Sequence, residues 1–190
     1  TPGVDNKKPA SKPEVKLPFT DVSTSDWFYD DVAFVYKNGL FSGTDSRSFS
    51  PNASMTRAML VTVLYRLEGE PTVTGRSSFT DVRSGAYYEK SVIWAAANGI
   101  VTGTDSTSFS PDAKVTREQL AAILYRYAQY RKLDTDASAK LNSFTDADSV
   151  SAYASEALGW AVSEGLINGA SGKLMPKGDA TRAQVAAILH

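Results

Sequence analysis

One apolar pattern returns along this chain. Leu60, Val63, Leu64 and Leu67 fall at i, i+3, i+4 and i+7, which is one face of a helix. Leu120, Ile123, Leu124 and Tyr127 repeat that stripe, and Val185, Ile188 and Leu189 begin it a third time. Each stripe is preceded by a shorter helical pattern, over about 27–38, 87–98 and 153–164. The inward positions of these first helices include Val92, Ala95 and Ala96 in the second copy and Leu158, Ala161 and Val162 in the third. Gly39, Gly99 and Gly165 stand at their ends, where a residue in the left-handed conformation closes a helix at least cost. None of the second helices can hide its stripe alone, so the three are expected to pack on one another. The pattern therefore predicts a mainly α fold of three helix-loop-helix repeats in a pseudo-threefold arrangement.

Polar signatures return in the same rhythm. Phe19-Thr20-Asp21-Val22 becomes Phe79-Thr80-Asp81-Val82 and then Phe144-Thr145-Asp146; Gly43-Thr44-Asp45-Ser46 becomes Gly103-Thr104-Asp105-Ser106. Thr56-Arg57 becomes Thr116-Arg117 and Thr181-Arg182, and the first two copies keep a constant offset of 60 residues, as from Phe19 to Phe79. The repeats are placed at 18–70, 71–135 and 136–190, joined by connectors over 68–78 and 130–143 that look structural. Residues 1–17, rich in Pro and Lys and poor in large apolar side chains, read as an extended linker that tethers the repeats to an upstream domain. The start Thr1-Pro2-Gly3 has neither an initiator Met nor an apolar signal segment and reads as a mature or excised piece of something longer.

Composition narrows the function classes. A net charge of −1 gives no global field toward nucleic acid or an anionic membrane. No apolar run is long enough for membrane insertion. Cysteine is absent and the only histidine is His190, which removes thiolate chemistry and His- or Cys-clustered metal; no cofactor is expected.

The candidate chemistry sits at the helix starts. Thr116 with Gln119 and Thr181 with Gln184 form capping boxes, and Thr56 caps without the reciprocal Gln, so helix initiation explains the threonines. It does not explain Arg57, Arg117 and Arg182, because a cation in the first turn opposes the helix macrodipole. Free amides at a helix start with an adjacent guanidinium fork would suit a carboxylate or phosphate. The competing reading is an ion pair with an acidic residue of a neighbouring repeat. In the loop before each arginine, Gly43, Gly103 and Gly169 permit close backbone approach. Asp45 with Ser46, and Asp105 with Ser106, could serve ligand hydroxyls or simply form Asx turns. Trp94 and Trp160, aligned with Phe34, could stack on a sugar or pack in the core.

The opening Phe-Thr-Asp-Val, the aromatic-led helix, the Gly-x-x-x-Gly spacing (Gly39 to Gly43, Gly99 to Gly103), Phe49-Ser50-Pro51 and Val115-Thr116-Arg117-Glu118 together resemble the S-layer homology repeat. The resemblance covers about 19–190 and implies a triplet that anchors bacterial surface proteins non-covalently to the cell wall or S-layer. It implies a three-repeat pseudo-trimer around a central helical bundle, with grooves between repeats that bind secondary cell-wall polysaccharide, often through a terminal pyruvylated N-acetylmannosamine. Arg57, Arg117 and Arg182 match the arginine of the family's Thr-Arg-Ala-Glu motif. The third copy departs from the pattern: Gly169-Ala170-Ser171-Gly172 replaces Gly-Thr-Asp-Ser, and Leu174 stands where Phe109 does. Two competent grooves are therefore expected.

Two other classes compete. A glycan hydrolase needs two carboxylates across the scissile bond, and the recurrent Asp21, Asp81 and Asp146 sit at turns, where capping explains them. A protein-protein assembly domain of a surface layer could use Phe41, Val101 and Ile167 if they were exposed, although core packing is the commoner fate of such residues.

Overall fold

The structure is a computed structural model that describes residues 17–169 and 171–190. The linker thus lies outside the described residues, except for Leu17, which packs against the core. Among the described residues, six helices alternate with loops: α1 (Tyr29–Lys37), α2 (Arg57–Leu67), α3 (Glu89–Ala97), α4 (Arg117–Tyr130), α5 (Ser155–Ser163) and α6 (Arg182–Leu189), with short 3-10 turns at Ala147–Ser149 and Ala152–Ala154. The first helix of each repeat starts two residues later than the pattern suggested. Its first turn carries Asp30 and Asp31, Glu89 or Glu156, acids that suit the positive end of the dipole. Trp27, Tyr87 and Tyr153 are left in the preceding turn, pointing outward. The inward stripe also shifts, because Trp94 and Trp160 are buried while Ala96 and Val162 are only half-buried.

The second helices start as their sequences dictate. Thr56, Thr116 and Thr181 each accept the backbone N–H three residues on, and Gln119 and Gln184 complete capping boxes. Their burial exceeds a single stripe. On α2, every residue from Leu60 to Tyr65 is buried, as is Ala58. The close helix pairs are α2 with α3, α4 with α5, and α6 with α1. The expectation that the second helices pack directly on one another is corrected accordingly: each lies on the first helix of the next repeat, and the last returns to the first. The physical reason is the burial of side chains on both flanks of α2 and α4, which one facing helix could not cover. A single apolar cluster still joins all three repeats, with Phe49, Phe109, Leu64, Leu120 and Leu158 fully buried within it.

Phe-Thr-Asp proves to be a clasp. Asp21 accepts the N–H groups of Phe49 and Ser50 at 2.9 and 2.8 Å. Asp81 takes those of Phe109 and Ser110 at 2.8 Å each, and Asp146 those of Leu174 and Met175 at 2.8 Å each. The second amide of each pair belongs to a residue held at positive φ just before a proline: Ser50 (57°), Ser110 (59°) and Met175 (52°). A non-glycine residue there costs about 1 kcal/mol or more, and the carboxylate holds it in place. The two backbone bonds, led by that from Leu174, depress the pKa of Asp146 below 3.8; at Asp81 the same bonds outweigh an opposing desolvation. A depressed carboxylate contributes stability that is complete above its unfolded value and is lost as pH falls through its folded one. Acid titration is thus expected to leave stability flat from pH 7 to about 5 and erode it below about 4. Asp146→Asn should flatten that acid limb in chemical denaturation, and an unchanged limb would show that this clasp does not titrate.

Candidate functional site

The helix-start arginines reach across repeat boundaries. Arg57 donates through Nε to Phe109 O (2.9 Å) and through Nη2 to Thr102 O (2.7 Å), with its guanidinium 4.7 Å from the Phe109 ring centre. Arg182 does the same in the first repeat, to Phe49 O (2.8 Å) and Ser42 O (2.7 Å), lying over Phe49 and Phe41. Arg117 bonds Leu174 O through Nε at 2.8 Å and, among the described residues, makes no second bond of this kind. Burial depresses the pKa of all three, and the clasping Asp81, Asp21 and Asp146 oppose the shift. Among the described residues these arginines are therefore not ion-paired to a neighbouring acid, as one reading had it; their partners are carbonyl oxygens.

The helix starts are not anion sites either. The N–H groups of Arg57 and Ala58 donate to Ala113 O and Pro111 O, those of Arg117 and Glu118 to Gly178 O and Pro176 O, and those of Arg182 and Ala183 to Ala53 O and Pro51 O. With the third amide taken by the threonine cap, the N-terminal donors are filled by the neighbouring repeat. Proximity of those carbonyls also explains why a cation is tolerated against the dipole.

Around these junctions the surface opens into grooves. One, of about 450 Å³, is lined by Phe41, Ser42, Gly43 and Thr44 of the first repeat, by Met59 and Arg66 of α2, by Tyr87 of the second repeat and by Arg182 of the third. Tyr87 is 65% exposed there. Among the described residues Arg66 makes one bond, Nη1 to Leu40 O at 3.2 Å. Among the described residues neither Arg66 nor Arg182 has a carboxylate in ion-pair range. A second groove, of about 480 Å³, brings Trp27 and Asp31 of the first repeat to Arg117 and to Gly165, Asn168, Gly169 and Gln184. Trp27 is 68% exposed, and Asp31 lies 2.8 Å from His190 Nδ1. Tyr153, in the matching place of the third repeat, is 57% exposed.

The remaining candidates separate. Gly43 and Gly169 line the two grooves, and Gly103 holds the corresponding place in the second repeat. Asp45 accepts the N–H groups of Arg47 and Ser48 (2.8 Å each) and Asp105 those of Thr107 and Ser108 (2.8 Å each), so the loop aspartates are Asx-turn caps with depressed pKa values. Ser46 and Ser106 are exposed beside them. Trp94 and Trp160 are corrected as sugar platforms: at 3% and 6% exposure they pack against Tyr65 and Tyr125 in the seams between helices. Phe41, Val101 and Ile167 are buried too, so these three residues offer no surface to an assembly partner. What sequence reasoning missed are the exposed Trp27, Tyr87 and Tyr153 and the late-helix Arg66 and Arg126. Their signal was present, since an aromatic recurs two or three residues before each first helix and Tyr65-Arg66 returns as Tyr125-Arg126.

The acid retained only in the second copy also has a role. Glu118 is buried, and its carboxylate accepts from Ser151 N (2.9 Å), Ser151 Oγ (2.8 Å) and Lys177 Nζ (2.5 Å) of the third repeat. Burial works against its ionisation, and Lys177 and Ser151 outweigh it, leaving the pKa depressed. The seam between the second and third repeats thus carries a charged lock; Ala58 and Ala183 stand in that place at the other two.

Comparison with known proteins places these features in a family. The family model described as the S-layer homology domain matches residues 18–58, 78–121 and 143–186. An endoglucanase of Bacillus sp. (strain KSM-635) is 31% identical over 91% of the chain, and the surface-layer 125 kDa protein of Lysinibacillus sphaericus 31% over 68%. A cellulosome-anchoring protein of Acetivibrio thermocellus is 26% identical over 58%. The chain spans 18%, 11% and 26% of the lengths of these relatives. Among the described residues, no helix is long and apolar enough to cross a membrane.

Proposed function

Because this chain belongs to the S-layer homology domain family, with three repeats, we propose that it is a non-covalent anchor at the bacterial cell surface. It holds secondary cell-wall polysaccharide by a terminal pyruvylated N-acetylmannosamine, bound in the grooves between repeats. The repeats span 18–70, 71–135 and 136–190, and the cyclic pairing of their helices is read as a pseudo-threefold arrangement. Any catalytic activity belongs to another domain of the same polypeptide, in keeping with the 18% of the endoglucanase's length that the chain spans.

The observation that carries this reading is the Tyr87 groove. An exposed ring faces a glycine-containing loop across two guanidinium groups, with no carboxylate in ion-pair range of either among the described residues. An aromatic face accepts the apolar side of a sugar ring, and an uncompensated guanidinium pair selects a ring that carries an anion. A pyruvate ketal supplies that carboxylate. The Trp27 groove has the platform and Arg117, but Asp31 beside them opposes an anion, so the groove on the third-repeat loop is expected to be the weaker. Several grooves on one domain add avidity where the polymer presents several termini.

Calorimetric titration with 4,6-pyruvylated N-acetylmannosamine, with the unpyruvylated sugar as control, tests the reading. Binding of the pyruvylated sugar alone is expected, and Tyr87→Ala should weaken it roughly tenfold, the equivalent of about 1.4 kcal/mol of stacking. Equal binding of both sugars would refute a carboxylate-directed anchor.

A further inference from the structure

We propose that the ligand's carboxylate is held in the Tyr87 groove by Arg66, while Arg182 and Arg57 serve as keystones that lock one repeat to the next. The proposal rests on the anchoring reading above and divides labour among its arginines.

The argument begins with the donors. Arg182 is 5% exposed, its Nε and Nη2 are engaged by Phe49 O and Ser42 O, and its plane lies over two phenylalanine rings. Both carbonyls belong to a different repeat, so its bonds join chain segments that are 133 and 140 residues apart. Presenting a bidentate fork to a ligand would break at least one of those bonds and leave a buried carbonyl unpaired. Arg57 has the same engagement in the second repeat. Arg66 has the opposite character. It is half-buried in the last turn of α2, lines the groove with Tyr87, and uses only Nη1, on Leu40 O. Its Nε and Nη2 have no acceptor among the described residues, and that pair of N–H groups forms the edge that binds a carboxylate side-on.

Arg126 is the residue of α4 that corresponds to Arg66. It is half-buried and, among the described residues, has neither a hydrogen-bond acceptor nor an acidic partner. The Tyr87 junction therefore combines an exposed ring, a committed guanidinium that shapes the loop, and an uncommitted one. A committed cation also raises the local potential, so an anion entering the groove meets both charges and one available fork.

The test compares variants of the full chain by titration with 4,6-pyruvylated N-acetylmannosamine and by thermal unfolding. Arg66→Gln is expected to weaken binding in the Tyr87 groove at least tenfold at a nearly unchanged unfolding midpoint. Arg66→Lys should restore part of the affinity, because the charge returns without the planar fork. Arg182→Lys is expected to lower the midpoint and leave the affinity of the folded fraction within about threefold. An Arg66→Gln protein with unchanged affinity and stoichiometry would overturn the proposal. So would an Arg182→Lys protein that keeps its midpoint and loses binding. A wild-type protein that binds neither the pyruvylated nor the plain sugar would overturn the anchoring reading together with it, which separates the two failures.

Discussion

Arg182→Ala is expected to lower the thermal midpoint by roughly 10 °C, more than any exposed substitution in the domain. The side chain contributes two charge-assisted bonds to carbonyls of the first repeat, at 2.8 and 2.7 Å, and a cation over two aromatic rings. Each bond from a charged donor is worth about 1.5–3 kcal/mol, and truncation leaves Phe49 O and Ser42 O without that donor. A loss of about 3–5 kcal/mol in a chain of this size corresponds to a shift on that scale. The comparison within the protein is the discriminating part. Arg57→Ala should match Arg182→Ala, whereas Arg117→Ala, which removes one such bond, should cost about half as much. Equal midpoints for all three variants, measured by calorimetry or circular dichroism, would mean that the second carbonyl contact carries no weight. A large loss at Arg182 also changes how wall-binding defects of helix-start arginine variants are read, since such proteins would be partly unfolded rather than blind to ligand.

Gly43→Ala is the second large effect expected. A Cβ there would stand 2.4 Å from Asp45 O, 2.5 Å from Cε1 of Phe19 and 2.6 Å from Ser48 O. Two of those atoms are backbone and the third belongs to a buried ring, so none can move away cheaply. The loop must be pushed off the Phe19 ring, at a cost of about 3 kcal/mol or more. Because Gly43 and Thr44 line the Tyr87 groove, affinity for the pyruvylated sugar should fall along with stability. The internal control is Gly39→Ala. That glycine sits at φ +68° with nothing within 4 Å of an added Cβ, so only the left-handed backbone penalises alanine, by about 1 kcal/mol. A Gly43→Ala protein as stable as the Gly39→Ala protein, with an intact groove, would show that the loop has slack. Gly103 repeats the geometry in the second repeat, with contacts of 2.4, 2.5 and 2.6 Å, and predicts the same result there.

The two effects share a cause. Phe19 of Phe-Thr-Asp is packed under the loop, Asp21 holds the amides of Phe49 and Ser50, and Phe49 O receives Arg182 from the third repeat. The signature residues that recur along the chain are thus successive links of one chain of contacts, from the opening turn through the loop to the next interface. Damage at any link is expected to reach the groove, because the groove wall is the loop that these links hold.

Much of this was legible in the sequence. Apolar spacing located the second helices, Thr56, Thr116 and Thr181 marked their starts, and Gly39, Gly99 and Gly165 marked the ends of the first helices. All of these are local properties, set by side-chain period, capping chemistry and backbone freedom within a few residues. The dipole argument also identified the helix-start arginines as residues in need of a partner.

The identity of the partner was not a local property. Arg182 meets Ser42 across 140 residues of chain, and no pattern within one repeat says whether a guanidinium faces a carbonyl, a carboxylate or solvent. The fate of the aromatics was equally hidden: Trp94 and Trp27 are both tryptophans near a first helix, and one is sealed between α2 and α3 while the other stands in the turn outside. The sequence by itself determined the repeats, their helices and several residues with the chemistry to bind an anion. Only the tertiary structure decided which of them are free to do so, because availability depends on what the neighbouring repeat has already bonded or buried.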